Sequence, residues 1–252
     1  MPRYDFCSPR LFVDQPLWAG SAITLASPQA HYLKDVLRLK AGDRVLVFNG
    51  RDGEWEARLD VAGKRSVALQ LEAWARPQTT GCDLHYLFAP LKHARLDYMV
   101  QKAVEMGVTR LAPVITRHTQ AERVNIGRMR ANAIEAAEQC GILALPEIVE
   151  PTPLGRALAG LGPDRLLIFC DEDAPIVDPV AALAVAAGAA SLAVLVGPEG
   201  GFAAEERDKL LAHPKVVRLA LGPRILRADT AAVAALAVIQ TVLGDWRDPA
   251  QR

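Results

Sequence analysis

The sequence predicts an α/β protein of two domains, a small N-terminal β-barrel followed by a mostly parallel α/β domain. Two observations support this. Up to residue 76 the chain has the pattern of short strands and turns, whereas from residue 82 strands and helices alternate, which is typical of a parallel sheet covered by helices on both faces. Between these parts, the Pro- and Gly-containing stretch Arg76–Gly81 is typical of a linker. We therefore predict domains over residues 1–76 and 82–252.

The N-terminal part contains three predicted strands, and the Asn-Gly-Arg-Asp-Gly sequence between the first two favours a hairpin turn. A short helix is predicted over Ser27–Val36, with Ser27 as its N-cap and Pro28 at its first position. The predicted strands are Arg44–Phe48, Glu54–Val61 and Ser66–Trp74. Such a pattern suits a small closed β-barrel.

In the second domain, five apolar strands alternate with five helices. The predicted strands are Leu84–Leu91, Leu111–Ile115, Arg165–Cys170, Ser191–Val196 and Val216–Leu221. The predicted helices are Leu96–Met106, Ile126–Cys140, Pro179–Ala187, Ala203–Leu211 and Thr230–Leu243. Ligands of such sheets bind in the loops beyond the carboxyl ends of the strands. We therefore expect a site in the loops that follow Val196 and Leu221.

Composition limits the environment and the partners. The formal net charge is zero, so overall charge does not indicate a nucleic-acid partner, although Lys209–Arg227 holds five basic residues and no acidic one. Cys7, Cys82, Cys140 and Cys170 form no CxxC pair, as expected of free thiols in a reducing cytoplasm. No apolar run reaches the roughly 18–20 residues of a membrane span, and no signal peptide is evident. We expect a cytoplasmic protein that uses no membrane and no metal.

Two late segments have the composition of ligand-binding loops. Gly197–Phe202 has three glycines in five positions, which lets the backbone turn sharply and approach a ligand closely. Leu221–Thr230 places Ile225 and Leu226 between two arginines, and exposing them is costly unless they cover something flat and apolar. Asp229 or Thr230 could cap the following helix. Each segment alone also fits a turn that binds no ligand.

Together, these two segments resemble the paired C-terminal motifs of the SPOUT methyltransferases, whose chain is threaded into a trefoil knot. The resemblance is closest to the bacterial family that methylates N3 of a uridine in 16S ribosomal RNA. It extends upstream, where His31–Gly53 resembles that family's PUA-like barrel and Leu91–Cys140 resembles its middle region. It implies that residues 1–76 form a PUA-like barrel and that a SPOUT domain over 82–252 contains a knot at about 192–243.

The family uses S-adenosylmethionine as methyl donor, so the resemblance implies a donor site in the knot loops. The implied donor-binding residues are Val196, Gly197, Pro198, Gly200, Gly201, Leu221, Gly222, Ile225, Leu226, Arg227 and Thr230. Ionising uridine N3 at neutral pH costs about 3 kcal/mol, and Arg227 is the expected catalytic residue because its charge can stabilise the developing anion. Glu199 is a candidate proton acceptor or orienting group, and the alternative is that it only orders the turn.

The expected partners are 16S ribosomal RNA in the small subunit and a second copy of the chain. The candidate phosphate contacts are Arg3, Arg10, Arg38 and Lys40, with an ordinary solvated surface as the alternative. In related knotted enzymes the knots pack together, and the predicted helix Thr230–Leu243 is apolar nearly all round, which suits burial on two sides of a homodimer.

The sequence departs from the family at three places and leaves two other functions open. Ala203 stands where Ser or Thr is frequent, Asp229 where Glu is common, and Ile142 where Arg often follows the glycine, which puts an RNA contact there in doubt. His31 and His118 are expected to be structural. The stretch Asp171–Asp173 is expected to be a solvated loop without a metal. The alternatives are a nucleotide-binding enzyme with a small-molecule substrate and a non-catalytic RNA-binding protein.

Overall fold

The computed structural model describes residues 5, 7–62, 66–120 and 123–247, which form two compact units. The first unit contains the described chain up to Thr80 together with Ala137–Leu145. The second contains Gly81–Ala136 and the described chain from Pro146 onward. The domains predicted from the sequence, residues 1–76 and 82–252, had placed Ala137–Leu145 in the second domain, whereas this segment groups with the first unit.

The first unit is built on a five-stranded sheet with the order β1-β3-β4-β5-β2. Its strands are β1 (Arg10–Phe12), β2 (Ala22–Thr24), β3 (Arg44–Phe48), β4 (Glu54–Ala62) and β5 (Ser66–Arg76). Strand β1 runs parallel to β3, and the other pairs are antiparallel. The three predicted strands are confirmed, whereas the short β1 and β2 were not predicted.

A single apolar core holds this sheet together, because all five strands contribute buried side chains to it. Two irregularities in the β4–β5 register, at Glu54/Trp55 and Glu56/Ala57, allow the sheet to bend around that core. In the described pairing β1 and β2 are edge strands. Among the described strands, no backbone pairing between these two edges closes the sheet into a hydrogen-bonded ring.

The predicted helix Ser27–Val36 forms as two pieces, α1 (Ser27–His31) and a π-helical turn (Tyr32–Val36). Ser27 was wrongly predicted as the N-cap: that position is Ala26, whose N–H donates to Gln29 Oε1 at 3.4 Å. The chain leaves the π turn through Arg38, which has a φ of 58°. Few residues other than glycine adopt this left-handed conformation.

The second unit contains a parallel sheet with the order β12-β10-β11-β6-β7-β8, and β9 also pairs with β7. Its strands are β6 (Asp83–Phe88), β7 (Arg110–Ile115), β8 (Glu147–Ile148), β9 (Thr152–Pro153), β10 (Leu166–Cys170), β11 (Ser191–Val196) and β12 (Val216–Leu219). Its helices are α2 (His93–Glu105), α3 (Ile126–Cys140, whose last turn belongs to the first unit), α4 (Leu154–Ala159), α5 (Pro179–Ala184), α6 (Ala204–Leu211) and α7 (Ala228–Val242). The alternating parallel architecture is confirmed.

Helix α7 begins earlier than predicted. Arg227 occupies the N-cap position, so Asp229 and Thr230 lie inside the first turn and neither caps the helix. One face of α7 is buried in its own unit, through residues that include Ala232, Leu236 and Ile239. Along the described chain, no helix is both long and apolar enough to cross a membrane.

Candidate active site

The two glycine-containing loops leave the same edge of the parallel sheet. Strand β10 lies between β11 and β12 and is parallel to both. The loop after β11 and the loop after β12 therefore begin on either side of Cys170, about 10 Å apart at the usual strand spacing. The loop after β6 lies next to the first of them, since Ala89 N–H donates to the carbonyl of Val196 at 3.2 Å. The carboxyl edge of the sheet thus brings the predicted loops together.

The first loop, residues 197–203, requires glycine at two positions for different reasons. A Cβ at Gly197 would lie 2.5 Å from the ring of Phe202, which itself packs edge-on against Phe169. Gly201 has a φ of 70°, and the space where its side chain would point is open. The loop consequently presents bare backbone at Gly201 while Phe202 anchors it to the core.

The second loop, residues 220–227, exposes an apolar side chain. Gly222 turns the chain with a φ of 87°. Ile225 is 99% exposed, Leu226 is half-buried, and Arg227 is exposed. Ile225 therefore does not pack into the core beneath the loop.

Glu199 is held by a residue from another element. Arg95 of α2 forms an ion pair with Glu199 through Nη1 and Oε1. His118, in the loop after β7, lies with its Nδ1 3.1 Å from the carbonyl oxygen of Gly201. Both residues line a cavity of about 370 Å³ together with Pro198 and Glu199. The first loop is thus held in place from two sides.

Glu206 fixes the end of this loop. Its Oε2 accepts from the N–H of Ala203, the N-cap of α6, at 3.0 Å, and its Oε1 accepts from the N–H of Arg117 at 2.9 Å. The reciprocal bond of a capping box needs a side-chain oxygen that Ala203 lacks. The departure at Ala203 therefore leaves half of the capping interaction in place.

Asp171, at the end of β10, is not part of a solvated loop. Its side chain is fully buried and accepts hydrogen bonds from Arg207 of α6 at 2.8 and 3.0 Å and from Arg218 of β12 at 2.6 Å. Burial raises the pKa of this carboxyl, but the hydrogen bonds from both arginines outweigh it, so the net pKa is lowered. Asp171 links the helix after the first loop to the strand before the second.

The candidate phosphate contacts differ in their surroundings. Arg38 and Lys40 are exposed, and Arg3 lies outside the described residues. The prediction for Arg10 is wrong: its side chain is 4% exposed and its Nε donates to the equally buried Glu54 at 3.0 Å. Arg10 therefore belongs to the interior of the first unit and cannot reach a phosphate.

Sequence reasoning did not assign functional positions to Arg95, Glu206 or Asp171. Arg95 pairs with a residue 104 positions away, Glu206 binds Arg117 89 positions away, and Asp171 has its nearer arginine 36 positions away, so no local pattern could reveal these contacts. Among the described residues, no group of three or more His, Cys, Asp or Glu side chains could hold a metal, and the four cysteines are free.

Comparison with protein families gives two matches along this chain. Residues 78–240 match the RNA methyltransferase domain, and residues 25–72 match the RNA methyltransferase PUA domain. Two relatives named ribosomal RNA small subunit methyltransferase E are similar over nearly the whole chain. The one from Rickettsia conorii is 32% identical and covers 92% of this chain and 94% of its own. The one from Synechocystis is 30% identical and covers 93% and 78%.

Two solved structures share this architecture. A methyltransferase of Legionella pneumophila in complex with S-adenosylmethionine is 27% identical with a TM-score of 0.82, covering 94% of this chain and 99% of that one. Ribosomal RNA small subunit methyltransferase E of Neisseria gonorrhoeae, bound to S-adenosyl methionine, is 25% identical with a TM-score of 0.81, covering 95% and 99%. The chain therefore belongs to the family of RNA methyltransferases that carry a PUA domain and include ribosomal RNA small subunit methyltransferase E.

Proposed function

We propose that this protein transfers the methyl group of S-adenosylmethionine to N3 of a uridine in 16S ribosomal RNA of the small subunit. The observation that carries the proposal is the pair of glycine-containing loops at one edge of the parallel sheet, on either side of β10. They occur in a chain whose relatives are named as methyltransferases of that RNA.

The loops fit the donor chemically. Gly201 and Gly222 have positive φ values and open space beside them, so backbone N–H and C=O groups can reach a ribose or an adenine edge. Ile225 presents an uncovered apolar surface that an adenine ring could cover. The donor, when bound, supplies an electrophilic methyl group on a sulfonium. The proposed donor site comprises Val196, Gly197, Pro198, Gly200, Gly201, Leu221, Gly222, Ile225, Leu226, Arg227 and Thr230.

Two charged residues are proposed to act on the acceptor base. Arg227 stabilises the negative charge that develops as uridine N3 loses its proton. Glu199 accepts that proton or orients the base, because its ion pair with Arg95 holds the carboxylate beside the small cavity. Thr230 lies one helical turn from Arg227, at the start of α7.

The proposal also covers the RNA contacts, the chain topology, the oligomeric state and the location of the protein. Exposed Arg38 and Lys40 of the first unit would contact RNA phosphates, together with Arg3. We further propose that the chain passes through a trefoil knot at about 192–243, works as a homodimer, and acts in the cytoplasm where small subunits are assembled.

The direct test uses small ribosomal subunits that lack the modification. The full chain is incubated with them and with methyl-labelled donor, and the labelled nucleotide is mapped and identified by mass spectrometry. We expect 3-methyluridine in the 16S RNA at one position. Label on another base or another ring atom, or its absence despite bound donor, would contradict the proposal.

Replacing Arg227 by Ala should slow methyl transfer more than it weakens donor binding, because the lost interaction forms with charge that exists only in the transition state. Removing one side chain that stabilises such a charge typically lowers the rate about 100-fold or more. The helix start should survive, since it is the Arg227 carbonyl that accepts from Ala231 N–H at 2.7 Å. Single-turnover kinetics and donor calorimetry separate the two effects. Equal losses of rate and donor affinity would mean that Arg227 serves donor binding alone.

A further inference from the structure

A second and larger cavity lies beside the candidate active site. It has a volume of about 930 Å³ and shares Leu91, Lys92 and Gln120 with the smaller cavity next to Pro198 and Glu199. The two cavities are therefore adjacent, and both volumes lie within the usual range of ligand sites. The larger one opens between the first turns of α2 and α3.

The lining of this cavity suits a nucleotide. Its apolar floor includes the buried side chains of Leu96 and Met129. Lys92 and Arg123 are exposed at its rim, and neither side chain has a hydrogen-bonded or ion-paired partner among the described residues. The acidic Glu150 also lines it. Apolar surface below and cations above match the base and the phosphate of a nucleotide.

Arg128 adds a fixed flat surface. Its guanidinium binds the carboxylate of Asp97 through hydrogen bonds of 2.8, 3.0 and 2.5 Å, although the side chain remains 62% exposed. Asp97 is itself held by Asn132 at 2.8 Å. An arginine immobilised in this way presents a planar face, and such faces stack on unpaired bases in RNA complexes.

Helix polarity reinforces the charge at this place. The N-cap of α2 is Lys92, and Asn125 precedes α3 and accepts from Arg128 N–H through its side chain at 2.9 Å. Both residues line the cavity, and neither helix has an acidic residue in its first turn. The partial positive charges of two helix ends therefore add to Lys92 and Arg123.

We propose that this cavity binds the nucleotide next to the target uridine in single-stranded RNA, with Lys92 and Arg123 on the phosphates and the base on Arg128. The inference rests on the proposed function, because it takes the smaller cavity beside Glu199 as the place of the target base. It assigns RNA binding to the second unit in addition to the first.

The test measures RNA binding and methyl transfer with the full chain. Fluorescence anisotropy with a labelled oligouridine of about ten nucleotides, repeated at several salt concentrations, gives the affinity and its salt dependence. Arg123→Ala should weaken binding about fivefold and make the salt slope about 0.7 shallower, the value for one lost phosphate contact on a single strand. Arg128→Lys, which keeps the charge but loses the planar face, should weaken binding without changing the slope.

The matched control is Arg130→Ala, which removes an exposed arginine of α3, the helix of Arg128, that does not line the cavity. It should leave affinity, slope and donor binding unchanged. The inference is overturned if Arg123→Ala and Arg130→Ala bind RNA alike. If the wild-type chain fails to methylate small subunits while Arg123→Ala still weakens RNA binding, the proposed function fails and the RNA cavity stands. If the wild type methylates and Arg123→Ala leaves both KM and RNA affinity unchanged, the cavity alone is wrong.

Discussion

Ile225 combines almost complete exposure with an apolar side chain, and it is followed by Leu226 and Arg227, which are also proposed to bind the donor. Replacing Ile225 by Ser should lower donor affinity about tenfold, because covering such a side chain is worth about 1.5 kcal/mol or more. Stability should change by less than about 0.5 kcal/mol, since the side chain makes no buried contacts. Calorimetry and thermal unfolding measure the two quantities.

The control for Ile225 is Val36→Ser, which alters a 57% exposed apolar side chain in the π-helical turn of the first unit. It should leave donor affinity unchanged. If both variants bind the donor as the wild type does, Ile225 is not part of the donor site.

His85 makes stability depend on pH. Burial, followed by the nearby charges of Arg165 and Arg110, lowers the pKa of His85 from 6.5 to about 4. The unfolded chain therefore binds a proton between about pH 6.5 and pH 4 that the folded chain does not, so stability falls as the pH drops through this window. His85→Gln should show a smaller decrease in Tm from pH 7 to pH 5 than the wild type. An equal decrease in both proteins would contradict this assignment.

Single-residue predictions from the sequence failed where the partner lies far along the chain. An arginine near the N-terminus is expected at the surface, yet Arg10 is buried because Glu54 neutralises it. Asp171 was taken for a solvated carboxylate, but Arg207 and Arg218 surround it. Gly197–Phe202 and the part of Leu221–Thr230 before α7 do lie in loops that follow strands, as predicted, since buried strand runs followed by glycines are local signals.

At the scale of elements, Asp171 connects the two loops proposed to bind the donor. Asp171→Asn removes the charge that α6 and β12 share through Arg207 and Arg218. Breaking a buried ion pair costs about 3 kcal/mol or more, and the loosened spacing between the loops should also weaken donor binding. Denaturant unfolding and calorimetry test both effects.

Asp173→Asn is the comparison, because Asp173 is 76% exposed and lies 3.4 Å from Arg207. It should change stability by less than about 1 kcal/mol. A similar loss of stability from both substitutions would show that the burial of Asp171 does not determine how much stability is lost.

Since the pKa of Asp171 is lowered, its contribution to stability is present above its ordinary pKa of 3.8 and is lost as the pH falls below it.

Element boundaries were predictable to the extent that hydrophobic periodicity marks them. Helix α3 and strand β11 have the bounds that the sequence predicts, whereas the two-residue strands β8 and β9 are too short to show any period. Caps were less predictable. Ala26 and Ala203 occupy N-cap positions where Ser or Thr is preferred, because side chains three residues later reach back to them.

At the scale of the whole molecule, exposed apolar surface supports the proposed homodimer. Ile176, Val177, Val180 and Val185 are all at least 40% exposed in the segment containing α5, and α5 contacts α7. Such surface usually marks an interface. Light scattering at micromolar concentration should give twice the mass of one chain, and Val177→Asp should lower the measured mass. Val36→Asp changes an apolar side chain that is exposed elsewhere, and it should leave the measured mass unchanged. A monomeric wild type would contradict the dimer.

The grouping of Ala137–Leu145 with the first unit has a consequence for biosynthesis. Phe12 N–H donates to Glu138 at 2.8 Å and Arg76 donates to the carbonyl of Gly141 at 2.5 Å, so the N-terminal unit draws on partners encoded much later. Leu145 lies 65 residues beyond Thr80. At translation rates of about 5–20 residues per second, the nascent unit waits roughly 3–13 seconds for its final piece. During that interval the growing chain exposes surface that a chaperone could bind, and a truncated transcript ending near Thr80 would encode an incomplete unit.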